Sequence, residues 1–114
     1  MFRDLKAIDL RHCSTLTDTG LAVLAVGCPQ LDELLLSFCT QLGDVGVCQL
    51  AAQLGSRLRR LELYHVPQLT EAAVDALVAK CTVLEELNLG KCGAVGNVAG
   101  RGGFLVQACH YVDY

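Results

Sequence analysis

Residues 31–39 read LDELLLSFC, and this nine-residue pattern occurs four times along the chain. Apolar residues occupy its first, fourth, sixth and ninth positions, and the copies begin 26, 27 and 26 residues apart. The fourth and sixth positions alternate with mostly polar ones, which predicts a short strand with one buried face. A fixed period of this length indicates a repeat architecture. The other copies are LKAIDLRHC (5–13), LRRLELYHV (58–66) and LEELNLGKC (84–92).

The second half of each period also repeats and predicts a helix. Thr17 and Asp18 offer an N-cap for the first helix, and Asp44 and Thr70–Glu71 occupy the matching places in the next two. In each copy, two apolar residues three apart lie on one helical face, which predicts that the helix packs against the strands. The aligned segments are LTDTGLAVLAVGC (16–28), LGDVGVCQLAAQL (42–54) and LTEAAVDALVAKC (69–81).

Each unit therefore runs strand, loop, helix and turn, and it buries its apolar side only by stacking on its neighbours. The pattern resembles the leucine-rich repeat, and more narrowly its cysteine-containing subtype, L-x-x-L-x-L-x-x-C-x-x-[IL]-T-D-x-G-[LI]-x-x-[LI]-[AS]-x-x-C-P-x. Residues 5–30 match nearly every fixed position. The resemblance implies an α/β leucine-rich-repeat solenoid of about three and a half units in a right-handed curved stack, with a parallel sheet on the concave face.

The subtype is typical of F-box leucine-rich-repeat proteins, the substrate receptors of cullin-based ubiquitin ligases. The resemblance thus implies a protein substrate on the concave face. Alternatives are a truncated or isoform fragment without independent activity and a repeat scaffold outside ubiquitination. A small-molecule receptor or an enzyme would need a deep pocket, which a shallow arc of three to four units does not offer.

The repeats divide the chain into an N-terminal edge at 1–4, repeats at 5–95 and a tail at 96–114. The expected units are 5–30, 31–57, 58–83 and an incomplete 84–95. Five of the eleven glycines fall between residues 93 and 103, and the tail lacks the repeat pattern. Because solenoids need capping repeats, we expect a fragment, an alternative product or the uncapped end of a longer array. With the repeats starting at Leu5, cullin-adaptor binding would require an F-box outside this chain.

The seven cysteines admit four interpretations, as metal ligands, as disulfides, as a nucleophile or as packing residues. Val66 stands in the column of Cys13, Cys39 and Cys92, and Leu54 stands in that of Cys28 and Cys81. A ligand or disulfide partner could not be replaced by Val or Leu, whereas a small buried hydrophobe could. The C-x₂₋₄-C spacing of structural zinc is missing from the sequence, so we expect no metal and no cofactor. We interpret Cys13, Cys28, Cys39, Cys81 and Cys92 as structural.

The residues between the leucines should line the concave face, where Leu35, Phe38 and Tyr64 form an outward apolar and aromatic cluster. Aromatic and Arg side chains ringed by polar ones are typical of interface hot spots. The alternative is that Phe38 folds over the edge and joins the core. A metal between the two flanking histidines is disfavoured, since two strands span about 10 Å. The predicted partner-binding residues are Arg11, His12, Leu35, Phe38, Tyr64 and His65.

Composition excludes several other classes of function. The net charge of −3 leaves no electrostatic footprint for nucleic acid. The longest apolar run, LAVLAVGCP, is shorter than the ~20 residues that span a bilayer, and the N-terminus lacks the apolar stretch of a secretory signal. We therefore expect a protein of the cytoplasm or nucleus, where thiols stay reduced. The sequence has no nucleophile elbow, P-loop or H-E-x-x-H, so we do not expect an enzyme.

Overall fold

The computed structural model describes residues 2–92 and the strand at residues 110–112 of the 114-residue chain. Strand and helix alternate up to β4, in the order that the repeat pattern predicts. Each strand is three residues long, and each helix has ten or eleven residues. The elements are β1 Ala7–Asp9, α1 Asp18–Gly27, β2 Glu33–Leu35, α2 Asp44–Leu54, β3 Arg60–Glu62, α3 Glu71–Lys80, β4 Glu86–Asn88 and β5 His110–Val112.

The strands form one parallel sheet in the order of the sequence. Ile8, Leu34, Leu61 and Leu87 are successive partners across it, so each repeat position lies beside its own equivalent in the next unit. The helices pack side by side along the other layer. This register turns every repeat position into a column that runs along the solenoid.

The strand β5 was not anticipated from the repeat pattern. It pairs in parallel with β4, and His110 lies opposite Glu86. These residues belong to the segment that the sequence analysis placed outside the repeats. The rest of that segment, including the glycine-rich stretch, lies outside the described residues.

The core is a continuous layer of leucines between the sheet and the helices. Leu34, Leu36, Leu61 and Leu63 are at most 1% exposed, and the helices add residues such as Leu50 from the other side. The helical pairs predicted to face the strands do so, since both members are buried in α2 and α3. In α1 the first member is buried and the second is half-buried. Those pairs are Leu21–Leu24, Val47–Leu50 and Val74–Leu77.

Two of the three helices begin at the predicted N-cap. The hydroxyl of Thr17 accepts a hydrogen bond from the Gly20 N–H at 3.3 Å, and the hydroxyl of Thr70 accepts from the Ala72 N–H at 3.3 Å. Asp44, expected at a capping place, is instead the first residue of α2, and Gly43 precedes it without a side-chain cap. The repeat has a glycine where its neighbours have threonine, so no side-chain oxygen is available at that position.

The first-turn carboxylates have a different role, which is to tie one repeat to the next. Asp18 Oδ1 accepts a hydrogen bond from the Gly43 N–H at 2.8 Å. One repeat further on, Asp44 accepts from both the N–H and the hydroxyl of Thr70. Each carboxylate thus satisfies an N–H at the start of the following helix, where backbone donors lack partners within the helix. The helix layer is thereby held in register by polar contacts as well as by packing.

All six cysteines within the described residues are free thiols. Cys28, Cys39, Cys81 and Cys92 are buried, whereas Cys13 is only half-buried, because it belongs to the first repeat and has a neighbouring unit on one side. Burial raises the pKa of Cys81 to about 11. The column of Cys13 carries a cysteine in the second and fourth repeats. Each of these two thiols donates a hydrogen bond to a backbone carbonyl of the preceding unit. Those bonds are Cys39 Sγ to the Leu10 oxygen at 3.0 Å and Cys92 Sγ to the Leu63 oxygen at 2.9 Å.

None of the described helices combines the length and the apolar character needed to cross a membrane.

Candidate protein-binding face

One position in every repeat adopts a left-handed backbone conformation. The φ angles are 66° at His12, 65° at Phe38, 57° at His65 and 61° at Lys91. Residues other than glycine rarely adopt such angles, and the backbone strain is largest for bulky residues. The position lies three residues after the end of each strand, where the chain turns into the loop. The first three of these residues donate their N–H to a carbonyl of the next repeat at 2.8–2.9 Å, so the sheet ladder fixes the turn.

The turns place their side chains against one another along the edge of the sheet. The rings of His12 and Phe38 stack with centroids 4.5 Å apart and planes within 8°, and His65 stacks on Phe38 at 5.2 Å. Tyr64 meets Phe38 edge-on at 5.5 Å. We call these four residues the aromatic stack. Phe38 is half-buried and stands outside the buried leucine cluster, so the alternative that it belongs to the core is not supported.

A groove with a volume of about 640 Å³ runs across the concave face beside the aromatic stack. His12, Phe38 and Tyr64 supply its aromatic wall. Residues from the strands and from the positions just after them supply its polar side: Asp9, Arg11, Ser37, Glu62 and Asn88. Four of the six residues predicted to bind a partner therefore line one groove, and His65 borders it through its contact with Phe38.

Leu35 is the exception: it lies on the concave face as predicted, but the expectation that it is exposed there is wrong. Its side chain is only 9% exposed, and it does not line the groove. The register places Leu35 between Asp9 and Glu62 on the concave face. Arg11 reaches from the first repeat towards Glu62 of the third, 3.8 Å away, and this side chain must cross the second repeat, where Leu35 lies. Neighbouring long polar side chains thus cover the short apolar one.

The charged residues of this face are paired with one another. Arg60 binds Glu33 at 3.0 Å on one side and Glu86 at 2.8 Å on the other. In the sequence, the alternation of Glu, Arg and Glu at these equivalent positions could have predicted the two ion pairs. These contacts are exposed, so each stabilises the fold by no more than about 1 kcal/mol.

Besides its contact with Glu62, Arg11 forms a bidentate ion pair with Asp9. Nε lies 2.9 Å from Oδ1 and Nη2 lies 2.7 Å from Oδ2. The hydrogen bonds from Arg11 lower the pKa of Asp9 from 3.8 to about 2. Asp9 and Glu62 were not among the predicted site residues, because carboxylates spaced along a repeat do not reveal which arginine they share.

Two small polar groups hold the wall of the groove in place. The Ser37 hydroxyl accepts a hydrogen bond from the Tyr64 N–H at 2.9 Å, and Ser37 is 2% exposed. Asn88 Oδ1 accepts from the Gly90 N–H at 3.0 Å. Because the Ser37 hydroxyl bonds the Tyr64 backbone, the second repeat fixes the position of an aromatic residue in the third.

Metal binding and thiol chemistry are the other roles to weigh for this face and for the cysteines. Within residues 2–92, no three His, Cys, Asp or Glu side chains are grouped so that they could hold an ion. Cys48, the half-buried thiol on α2, has its pKa raised by burial and by the nearby Asp44. A raised pKa leaves the thiol protonated at neutral pH, so it is a poor nucleophile.

Comparison with known proteins identifies the repeats. The leucine-rich-repeat family model matches residues 3–25 and 80–101. F-box/LRR-repeat protein 4 of Bos taurus is 36% identical over 84 residues, which are 72% of this chain and 13% of that protein. A chain in the crystal structure of the Rad7–Elc1 complex from yeast aligns with a TM-score of 0.72 and 26% identity, over 87% of this chain and 24% of that one.

This chain therefore spans about an eighth of the length of the bovine relative and about a quarter of the yeast chain. The matched region is the repeat array, and the parallel sheet with its layer of helices is the α/β solenoid that the periodicity predicts. The pattern, the fold and the relatives agree on a repeat family that mediates protein interactions. The chain belongs to the cysteine-containing leucine-rich-repeat proteins, and its repeats are those of the F-box/LRR family.

Proposed function

We propose that this chain is a protein-recognition module that holds a protein substrate on its concave face, as part of a cullin-type ubiquitin ligase subunit. The support is its relation to an F-box/LRR-repeat protein and its structural similarity to a chain solved within a two-protein complex. In this proposal the chain has no catalytic activity of its own. The adaptor would be bound by an F-box on a separate segment, and the protein would work in the cytoplasm or nucleus.

The observation that carries the proposal is the aromatic stack, in which His12, Phe38 and His65 have left-handed backbone conformations. Holding a residue other than glycine in this conformation costs on the order of 1–2 kcal/mol. Folding alone would favour Gly or Asn there, yet Phe38 occupies the turn in the middle of the stack. A partly exposed aromatic ring retained at that cost, beside a groove with polar walls, has the composition of a binding hot spot.

The first experiment removes the ring without straining the turn. Phe38→Gly suits the left-handed conformation, so the variant should fold while it loses the stacking surface. Val26→Ala is the matched control, because Val26 is 66% exposed on α1, in the helix layer. Tagged wild-type, Phe38→Gly and Val26→Ala chains are used to capture proteins from lysate, with quantitative mass spectrometry as the measurement.

Proteins that bind the concave face should be captured by the wild type and by Val26→Ala, and lost with Phe38→Gly. For a purified partner, the affinity should fall by roughly thirty-fold, which corresponds to the ~2 kcal/mol of a hot-spot residue. If both variants capture the same proteins as the wild type, the aromatic stack is not the binding face.

The ubiquitin branch of the proposal has a separate test. Captured substrates should accumulate in cells when the proteasome is inhibited, and their ubiquitination should depend on the stack residues in the full-length gene product. If proteasome inhibition does not change the abundance of the captured proteins, and variants of the stack residues do not change their ubiquitination, the chain is a scaffold outside ubiquitination. A chain that shows no cooperative thermal transition would favour a fragment without independent activity.

A further inference from the structure

We infer that the groove selects an extended segment that carries a Lys or Arg side chain next to an apolar one. The inference rests on the proposed function, because it assigns the chemistry of the partner to the same face. Three features of the groove carry it: its shape, its surplus of carboxylates and the position of its aromatic rings.

The shape fits an extended chain that crosses the strands. The groove is lined by residues from four repeats, from Asp9 in the first to Asn88 in the fourth. Four strands at a spacing of about 4.8 Å span about 14 Å, which is the length of about four residues in an extended peptide. A single side chain would fill only part of this volume, whereas a short segment makes contact along the whole groove.

The charges of the concave face do not balance. Four carboxylates share two guanidinium groups, since Arg11 contacts Asp9 and Glu62 and Arg60 contacts Glu33 and Glu86. Lys91, at the fourth-repeat end of the turn column, offsets one of the two remaining negative charges. The face therefore keeps a negative surplus, and complementary charge selects a cationic partner and speeds its encounter.

The carboxylate with the weakest internal pairing lies in the groove itself. Glu62 is 3.8 Å from Arg11, beyond hydrogen-bonding distance, while Arg11 directs its Nε and Nη2 to Asp9. An incoming cation can therefore bind Glu62 without breaking a short ion pair. An incoming carboxylate would have to compete with Asp9 for Arg11, and with two glutamates for Arg60.

The aromatic wall stands next to this carboxylate. Phe38 and Tyr64 line the same groove as Glu62, and their rings lie 5.5 Å apart in an edge-on arrangement. An ammonium or guanidinium group over an aromatic face gains about 0.5–1 kcal/mol at an exposed site. The methylene stem of a Lys or Arg, or an apolar neighbour, would pack on the same rings. The groove thus offers both halves of a site for a basic and apolar segment.

The test is a selection of displayed random 12-residue peptides on the full chain at low ionic strength. A parallel selection on Phe38→Gly removes peptides that bind elsewhere. The peptides lost with Phe38→Gly should carry net positive charge, and the affinity of the best synthetic peptide should fall as salt screens the interaction. That peptide is then measured against Glu62→Gln and against Glu85→Gln, which removes the same charge from the exposed pair with Arg59 outside the groove.

Glu62→Gln should weaken the peptide at least five-fold, because the Glu62 side chain is only 19% exposed and an ion pair there is screened less than a fully exposed one, which contributes about 1 kcal/mol at most. Glu85→Gln should leave its affinity unchanged. Circular dichroism checks that both variants are folded, and the salt dependence of the wild type needs no variant. Phe38-dependent peptides that are neutral or acidic on average would overturn the inference while the proposed function stands. If no selected peptide depends on Phe38, the inference fails as well, because the groove is then not a peptide-binding face; the protein capture with Phe38→Gly decides the proposed function separately.

Discussion

The first and second repeats carry the same pattern of apolar residues but bury it to different extents. Leu5, Ile8, Leu10, Cys13, Leu16 and Leu24 of the first repeat are all half-buried. Their equivalents Leu31, Leu34, Leu36, Cys39, Leu42 and Leu50 are all 0% exposed. The second repeat has a packed unit on both sides, and the first has one only on the side of the second.

The difference shows where the stability of this solenoid lies. A residue at a given repeat position stabilises the fold in proportion to the apolar surface that its neighbours cover. Because each unit contacts only the adjacent units, interior and first-repeat variants at equivalent positions measure the interface between repeats directly.

The largest difference is expected between Leu36→Ala and Leu10→Ala. Leu36 is 0% exposed, so its truncation leaves a cavity and should lower the free energy of unfolding by about 3 kcal/mol. Leu10 is half-buried at the equivalent position, and its truncation should cost about 1 kcal/mol, since solvent already reaches the site. Urea denaturation followed by circular dichroism measures both. Equal losses would mean that the first repeat is packed as tightly as the second.

The next pair concerns two glycines. A Cβ at Gly55, between the second and third repeats, would lie 2.7 Å from the Lys80 oxygen and 2.3 Å from the Ala51 oxygen, both backbone atoms. Gly55→Ala should therefore cost about 2 kcal/mol, because the backbone of two repeats must shift. At Gly20 in α1, the nearest atom to a Cβ would be a Leu16 methyl at 3.1 Å, which belongs to a flexible side chain.

Gly20→Ala should change the stability by less than about 1 kcal/mol, because the better helix propensity of alanine offsets the contact. Thermal unfolding of the two variants gives the comparison. A Gly55→Ala variant as stable as Gly20→Ala would show that the junction between the second and third repeats can adjust.

A smaller difference is expected in the cysteine column. Cys39→Val keeps an apolar side chain of similar size, as Val66 does one repeat later, but loses the thiol bond to the Leu10 oxygen. The loss should be about 1 kcal/mol or less, since that oxygen also accepts from the Cys13 N–H. Cys13→Val should be nearly neutral, because Cys13 is half-buried. Denaturation under reducing conditions tests the pair, and a larger loss for Cys13→Val would contradict it.

The smallest effect on stability is expected at Asp9, an exposed residue of the first repeat. Its pKa lies near 2 because Arg11 donates hydrogen bonds to the carboxylate. A lowered pKa means that the ion pair stabilises the fold fully above the unfolded value of about 3.8, and that this contribution is lost as pH falls through about 2. NMR titration of the Asp9 side chain measures this pKa in the wild type, Arg11→Gln and Arg60→Gln.

In Arg11→Gln the pKa of Asp9 should rise towards 3.8, and in Arg60→Gln it should stay near 2, because Arg60 pairs with Glu33 and Glu86 instead. A wild-type pKa close to 3.8 would show that Arg11 does not hold the carboxylate in solution.

Much of the fold could be predicted from the sequence because the period repeats. Three spacings near 26 residues, with leucines alternating in each copy, predict both the strands and their register. The strand β5 could not be predicted in this way, because the segment from residue 93 onward loses the pattern. Thr17 and Thr70 were identifiable as caps from residue type, whereas the role of Asp44 depends on Thr70 of the next unit.

The site was predicted in part. Phe38, Tyr64 and the two histidines lie together because the repeat period places equivalent positions side by side. Leu35 was assigned to the exposed surface from its strand position alone. Its burial depends on Arg11, whose side chain crosses from one repeat to another. The alignment of equivalent repeat positions does not show the direction of such a long side chain.

The sequence alone is sufficient to define the repeat unit, the core columns and the packing role of the cysteines. These follow from local periodicity, in which each residue type is compared with its own equivalents one period away. The sequence does not reveal the left-handed turns, the shared guanidinium groups or the extent of burial in each repeat, which appear in the folded molecule. Those features depend on backbone angles and on side chains of neighbouring units, and stacking creates them.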